Sequence, residues 1–149
     1  MPRPKLRSIL ERWLFARRGY GSACLRGLDV IAERIRVGDP PPRIVVFIDA
    51  DHSDHGECLP QLVAPIDGGS ADFVLRSRML GERQPGALPM AALLGNRLAC
   101  FLMRRLFGAI YTDVGPFRAI RYNRLCELEM RDTNYGWTIE MQIKAARAG

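Results

Sequence analysis

The stretch that most constrains the fold is Arg43-Ile44-Val45-Val46-Phe47-Ile48-Asp49-Ala50-Asp51. An unbroken apolar run, rich in β-branched residues and preceded by Pro40-Pro41-Pro42, ends in two carboxylates separated by one small residue. Such a run reads as a strand buried on both faces. Acids are costly inside it, so Asp49 and Asp51 belong at its carboxyl end, the edge where ligands bind in open α/β sheets. Period-two alternation puts both acids on one side and Ala50 on the other. Carboxylates so placed repel each other unless a cation lies between them, and a hard divalent ion that also grips a substrate's phosphates meets that need. Either acid alone serves equally as a turn former or helix N-cap.

With 149 residues, 48% of them apolar, the chain is expected to form one soluble domain with a sizeable core. Cys24, Cys58, Cys100 and Cys126 form no CxxC pair, which points away from zinc sites and disulfides and toward reduced, cytoplasmic thiols. Residues 1–43 hold ten Lys/Arg against four acids, which accounts for the whole net charge of +6. That basic segment reads as a solvated face, with nucleic acid or an anionic membrane as the sharper alternatives. No signal peptide is expected, because the N-terminal region lacks an uninterrupted apolar core, and no membrane span, because Arg97, Arg104 and Arg105 interrupt the longest apolar stretch.

The pattern predicts an amphipathic helix over 6–16, an interruption at Gly19-Tyr20-Gly21, and a second helix from Ser22 to the breaker at 38–42. After the acid-tipped strand come a polar loop with His52 and His55, a helix over 57–66, and a strand over 71–75 with Arg76 and Arg78 just beyond. Helix, strand, helix, strand suggests parallel strands joined by crossover helices, with the arginines and acids at one sheet edge. A long helix spans 89–107, apolar on nearly all sides, so either well buried or leaning on a membrane. Its Arg104-Arg105 pair suits the helix dipole or lipid headgroups. A tight loop at 112–116, a strand over 117–121, a short helix over 123–129 and a last helix from Gly136 complete the chain.

Two acids, two arginines, and Asp113 with Arg118 around a glycine loop describe a site for a phosphorylated donor. From residue 18 onward the chain resembles family 2 glycosyltransferases of the GT-A fold, in the branch of dolichol-phosphate mannose synthase and polyprenyl-phosphate glycosyltransferases. The resemblance rests on an ordered set of motifs: Arg18-Gly19-Tyr20-Gly21-Ser22, Asp49-Ala50-Asp51, Ala71-Asp72-Phe73-Val74 with Ser77-Arg78, and Gly95-Asn96. Thr112-Asp113-Val114-Gly115-Pro116-Phe117-Arg118 and Tyr135-Gly136-Trp137-Thr138-Ile139-Glu140 close the set.

The resemblance implies an α/β, Rossmann-like three-layer sandwich: a basic helical segment over 1–17, then a glycosyltransferase domain over 18–149. It implies sugar transfer from a nucleotide-sugar donor to an acceptor such as a polyprenyl phosphate at the inner face of the cell membrane. Asp49 and Asp51 would hold Mg²⁺ or Mn²⁺ and the donor diphosphate, while Arg78 and Arg118 steady phosphate charge. Asp113 would act as base or orient the acceptor, and Glu140 would line the site. The family's opening strand-helix-strand, with its grip on the nucleotide base, has no counterpart in the residues before Gly19. The expected domain is therefore an incomplete GT-A sheet whose exposed edge a second copy could cover. Rival readings are an inactive remnant serving as an interaction domain, a hydrolase built on Asp49, Asp51, His52 and His55, and a nucleic-acid binder. Tyr20, Trp13 and Trp137 read as packing residues.

Overall fold

The computed structural model describes residues 19–49, 54–77 and 90–149. The helix expected over 6–16 and residues Asp51, His52 and Arg78 lie outside them. In order, the elements are α1 (Tyr20–Arg36), β1 (Ile44–Phe47), a 3₁₀ turn (Gly56–Cys58), α2 (Leu59–Asp67), β2 (Phe73–Leu75) and α3 (Met90–Phe107). There follow β3 (Arg118–Arg121), α4 (Tyr122–Glu127) and α5 (Trp137–Ala148).

The sheet order is β1-β3-β2, and β3 runs antiparallel to both neighbours. β1 and β2 are therefore parallel to each other and joined through α2, but β3 is inserted between them. This corrects the expected burial of β1. Lying at the edge of the described sheet, β1 is only half-buried up to Phe47, and the strand with almost no exposed surface is β3. An apolar run records how hydrophobic a strand is, not its rank in the sheet. The central strand instead carries arginine at both ends.

Strand alternation divides the core into two layers. Val45, Phe47, Phe73 and Ile120 face α1 and α5, where Trp137 and Met141 are fully buried. Ile44, Val46, Val74 and Ala119 face α2, whose Leu62 and Ile66 close the other side. Helices on both faces of a sheet make this an α/β fold. Trp137 meets Phe47 edge to face with ring centroids 6.0 Å apart, a packing residue as expected. At the amino end of β2, Asp72 bridges Arg121 (2.6 Å) and Arg124 (2.9 Å), whose guanidinium groups hold its carboxyl below the usual range. Asp72 thus ties strand ends together, away from the acid-tipped edge.

Within the described residues, Gly19-Tyr20-Gly21 opens a helix. Gly19, with φ +149°, caps α1, and the helix then presses against the loop over 131–136. The N–H groups of Gly21 and Ser22 donate to Asn134 O (3.1 Å) and Thr133 O (2.9 Å). A Cβ on Gly21 would collide with the Asp132 carbonyl, so backbone meets backbone there without a side chain between.

Gly27, one and a half turns along the same helix, has open space around its Cα. Gly21→Ala should therefore cost about 2 kcal/mol, whereas Gly27→Ala should gain up to about 1 kcal/mol from helix propensity. Urea denaturation of the two variants checks this, and equal shifts of the same sign would refute the close approach.

Candidate functional site

The register brings the sequence motifs together. Phe47, the last residue of β1, pairs with Arg118, and so does Leu75, the last residue of β2. The carboxyl ends of two parallel strands therefore meet the first residue of β3, with Asp49 two residues beyond one end and Ser77 two beyond the other.

Arg118 has no exposed surface. Its Nε donates to Pro116 O (3.2 Å), Nη1 to Thr138 O (2.8 Å), and Nη2 to Gly115 O and Val114 O. Burial pushes its pKa down to about 10, opposed by Tyr20, Cys24, Tyr111 and Asp113. The group is still a cation at neutral pH, held by carbonyl dipoles. This modifies the expectation that it contacts phosphate: the nitrogens are engaged in folding the loop over 114–116 back on itself. Its charge reaches the site from beneath.

Around that cation the side chains form a half-buried ring. Burial raises the Tyr20 phenol well above its ordinary value, and nearby Cys24 and Asp49 add to the shift. The Cys24 thiol is pushed up to about 11 by burial, against the hydrogen bond from Tyr20 and the charge of Arg118, with Asp49 reinforcing the rise. Both stay protonated at neutral pH, so neither is an activated nucleophile. The sequence marked Tyr20 as a motif and packing residue and Cys24 as a reduced thiol; their nearness to Asp49 and Arg118 follows from how α1 crosses the sheet.

Asp113 is buried. Its neighbours are fixed from α3, where Asn96 donates from Nδ2 to Thr112 O (3.2 Å) and accepts from Val114 N at Oδ1 (2.9 Å). Gln142 of α5 donates to Asp113 O (2.8 Å), and Thr112 Oγ1 donates to Ser77 Oγ (2.9 Å). Three elements thus fix the backbone on either side of one carboxylate. The Gly95-Asn96 motif is explained by the amide, which serves both faces of this loop; Gln142 had no signal in the sequence.

Glu140 is placed elsewhere. Its oxygens accept from Arg131 N (3.1 Å) and Asp132 N (2.8 Å) and pair with Lys144 Nζ (2.8 Å). Burial works to raise its pKa, but Lys144 and the two N–H groups outweigh it and hold the carboxyl below its usual value. Glu140 therefore secures the loop against which Gly19 and Gly21 pack, and both of its oxygens are occupied in doing so.

Asp49 is half-buried, and its N–H donates to Asp54 Oδ2 at 3.0 Å. Carboxylate oxygens at this edge are the donor type that suits Mg²⁺ or Mn²⁺ rather than a soft ion. Among the described residues no three His, Cys, Asp or Glu side chains gather as a metal site. His55 pairs with the exposed Glu57 at 2.8 Å, which leaves the His/Asp hydrolase arrangement without support among the described residues.

Proteins similar to this chain occur in mycobacteria. They come from Mycobacterium bovis and from two strains of Mycobacterium tuberculosis, and each is 34% identical over 136 residues, or 89% of this chain. All three bear the name uncharacterized glycosyltransferase. The chain spans 56% of the length of these relatives. No protein-family model matches it, and no solved structure does.

Removing the Asn96 amide deprives the part-buried Thr112 carbonyl and Val114 N–H of their partner, so Asn96→Ala should cost about 1–2 kcal/mol in a denaturation experiment. Glu140→Gln should cost about 1–2 kcal/mol at neutral pH. Because the folded-state carboxyl is depressed, its contribution is complete above the ordinary Glu range and disappears as pH falls through the lower folded value. Melting curves of wild type and Glu140→Gln should therefore converge in acid; a constant gap across pH would contradict the assigned role.

Proposed function

We propose that the chain is a family 2 glycosyltransferase domain of GT-A type that moves a sugar from a nucleotide-sugar donor to an acceptor, with a polyprenyl phosphate as acceptor. In that transfer the bond from the anomeric carbon to the donor diphosphate breaks, and one from the same carbon to an acceptor oxygen forms. The nucleoside diphosphate leaves. The observation that carries the reading is that the carboxyl ends of two parallel strands, one leading to Asp49, meet at the buried Arg118, with Asp113 in electrostatic reach of it. The similarity to relatives named glycosyltransferases supports the same reaction class.

Asp49 and Asp51 would hold Mg²⁺ or Mn²⁺, which supplies charge neutralisation on the departing diphosphate. Arg78 would bind phosphate directly, and Arg118 would add positive potential from the floor. Asp113 would orient the acceptor or accept its proton, its position set by Asn96, Gln142 and Ser77. Glu140 would act indirectly, through the loop it secures. An acceptor that is already a phosphate is largely ionised and needs little base catalysis, which suits a site whose tyrosine and cysteine stay protonated.

Isothermal titration of the whole chain with UDP- and GDP-sugars in the presence of Mn²⁺ should give heat with at least one donor. Asp51→Asn should weaken that binding by about tenfold or more, since it removes a charged ligand of the metal, and leave thermal unfolding unchanged. Heat with no donor, or full affinity in the variant, would contradict the proposal and favour an interaction domain.

A further inference from the structure

Helix α3 shows more apolar surface than a helix packed along one side should. Met90 (73%), Leu94 (60%), Leu98 (58%), Phe101 (62%) and Leu106 (66%) are all strongly exposed. Helical spacing gathers Met90, Leu94, Leu98 and Phe101 on one stripe about 80° wide, with Leu106 beyond its flank. The opposite side is fixed to the domain by the buried Asn96 and Met103. At 18 residues the helix is about 27 Å long, which makes the stripe a contiguous surface rather than scattered side chains.

The charge on this helix has one sign. Its sequence contains no Asp or Glu, and Arg97, Arg104 and Arg105 are exposed. Among the described residues no carboxylate pairs with any of the three. Packing the same stripe against a second copy would bring both sets of arginines together with no acid from either helix to offset them. An anionic bilayer surface meets both demands, taking the apolar side chains below its headgroups and the guanidinium groups on its phosphates. No described helix is long and apolar enough to cross a membrane.

We propose that α3 docks this domain in the plane of an anionic lipid surface, with Leu94, Leu98 and Phe101 inserted and Arg97, Arg104 and Arg105 on lipid phosphates. Asn96, on the inner side of the same helix, holds the Asp113 loop, so the candidate site would stand about one helix diameter, roughly 10–12 Å, above the surface. The inference rests on the exposed stripe and its charge, and it is independent of the sugar-transfer reading.

Flotation of the full chain with vesicles of equal parts phosphatidylglycerol and phosphatidylcholine tests it, with pure phosphatidylcholine vesicles as the control. Binding to the anionic vesicles is expected, with little to the control. Leu98→Ser with Phe101→Ser should weaken binding by about tenfold or more while leaving thermal unfolding unchanged, because both side chains are exposed. Each arginine near such a surface contributes roughly fivefold, so joint Arg97→Gln, Arg104→Gln and Arg105→Gln should weaken it about a hundredfold. Absence of binding to anionic vesicles, or equal binding by the variants, would overturn the proposal. So would a dimer that the Leu98→Ser, Phe101→Ser pair dissolves. Donor titration reads separately, so either proposal can fail alone.

Discussion

Arg118 carries a positive charge into a place with no exposed surface and keeps it by donating to the carbonyls of Gly115, Pro116 and Thr138. A buried charge is tolerated only when its donors are satisfied, and a broken set is costly. That requirement explains the shape of the loop over 112–117, whose carbonyls must turn inward. It also explains why this strand lies in the middle of the sheet. Only there do the ends of β1 and β2 screen the guanidinium from water on both sides.

A second constraint operates on the far side of α5. The loop over 131–136 has its N–H groups bound by Glu140 and its carbonyls bound by the start of α1. Since Thr138 of α5 also accepts from Arg118, the two constraints share one helix. Tyr20 and Cys24 are brought beside the cation because α1 can approach only where glycine leaves room. Polar backbone groups, more than apolar contacts, decide where α1, α5 and the Asp113 loop lie relative to one another.

Much of the fold could be read in the sequence. The helices α1, α3 and α5 follow their 3.6-residue periodicity, and the β1 run, the β2 segment and the 117–121 alternation are all strands. The sheet order could not be read. Hydrophobicity distinguished β1 as the most apolar strand, yet arginine-bearing β3 is central, because carbonyl acceptors supplied by the chain's own loops substitute for water. Asp49, Asp113 and Arg118 were expected to share a site; Asp113 lies within electrostatic reach of Arg118, and Asp49 within reach of Tyr20 and Cys24, which also face that cation. Glu140 was expected to line it and instead braces a loop, since motif spacing fixes a residue's position along a helix but not which of its neighbours need its oxygens. Gln142 was invisible, as an amide within an ordinary helical stretch carries no mark of a buried partner.

The stripe on α3 and the Asp113 loop are two sides of one helix, which links the surface a domain rests on to the residue held above it. What that link depends on is the buried cation. Native-state amide hydrogen exchange in Arg118→Lys tests it most directly, because lysine keeps the charge but has a single nitrogen and cannot reach the carbonyls that the guanidinium fork contacts from three. The amides over 111–118 should exchange much faster in the variant, while those of α2, around Leu62 and Ile66, keep their protection. Unchanged protection over 111–118, in a variant as stable as wild type, would show that the loop does not depend on the guanidinium.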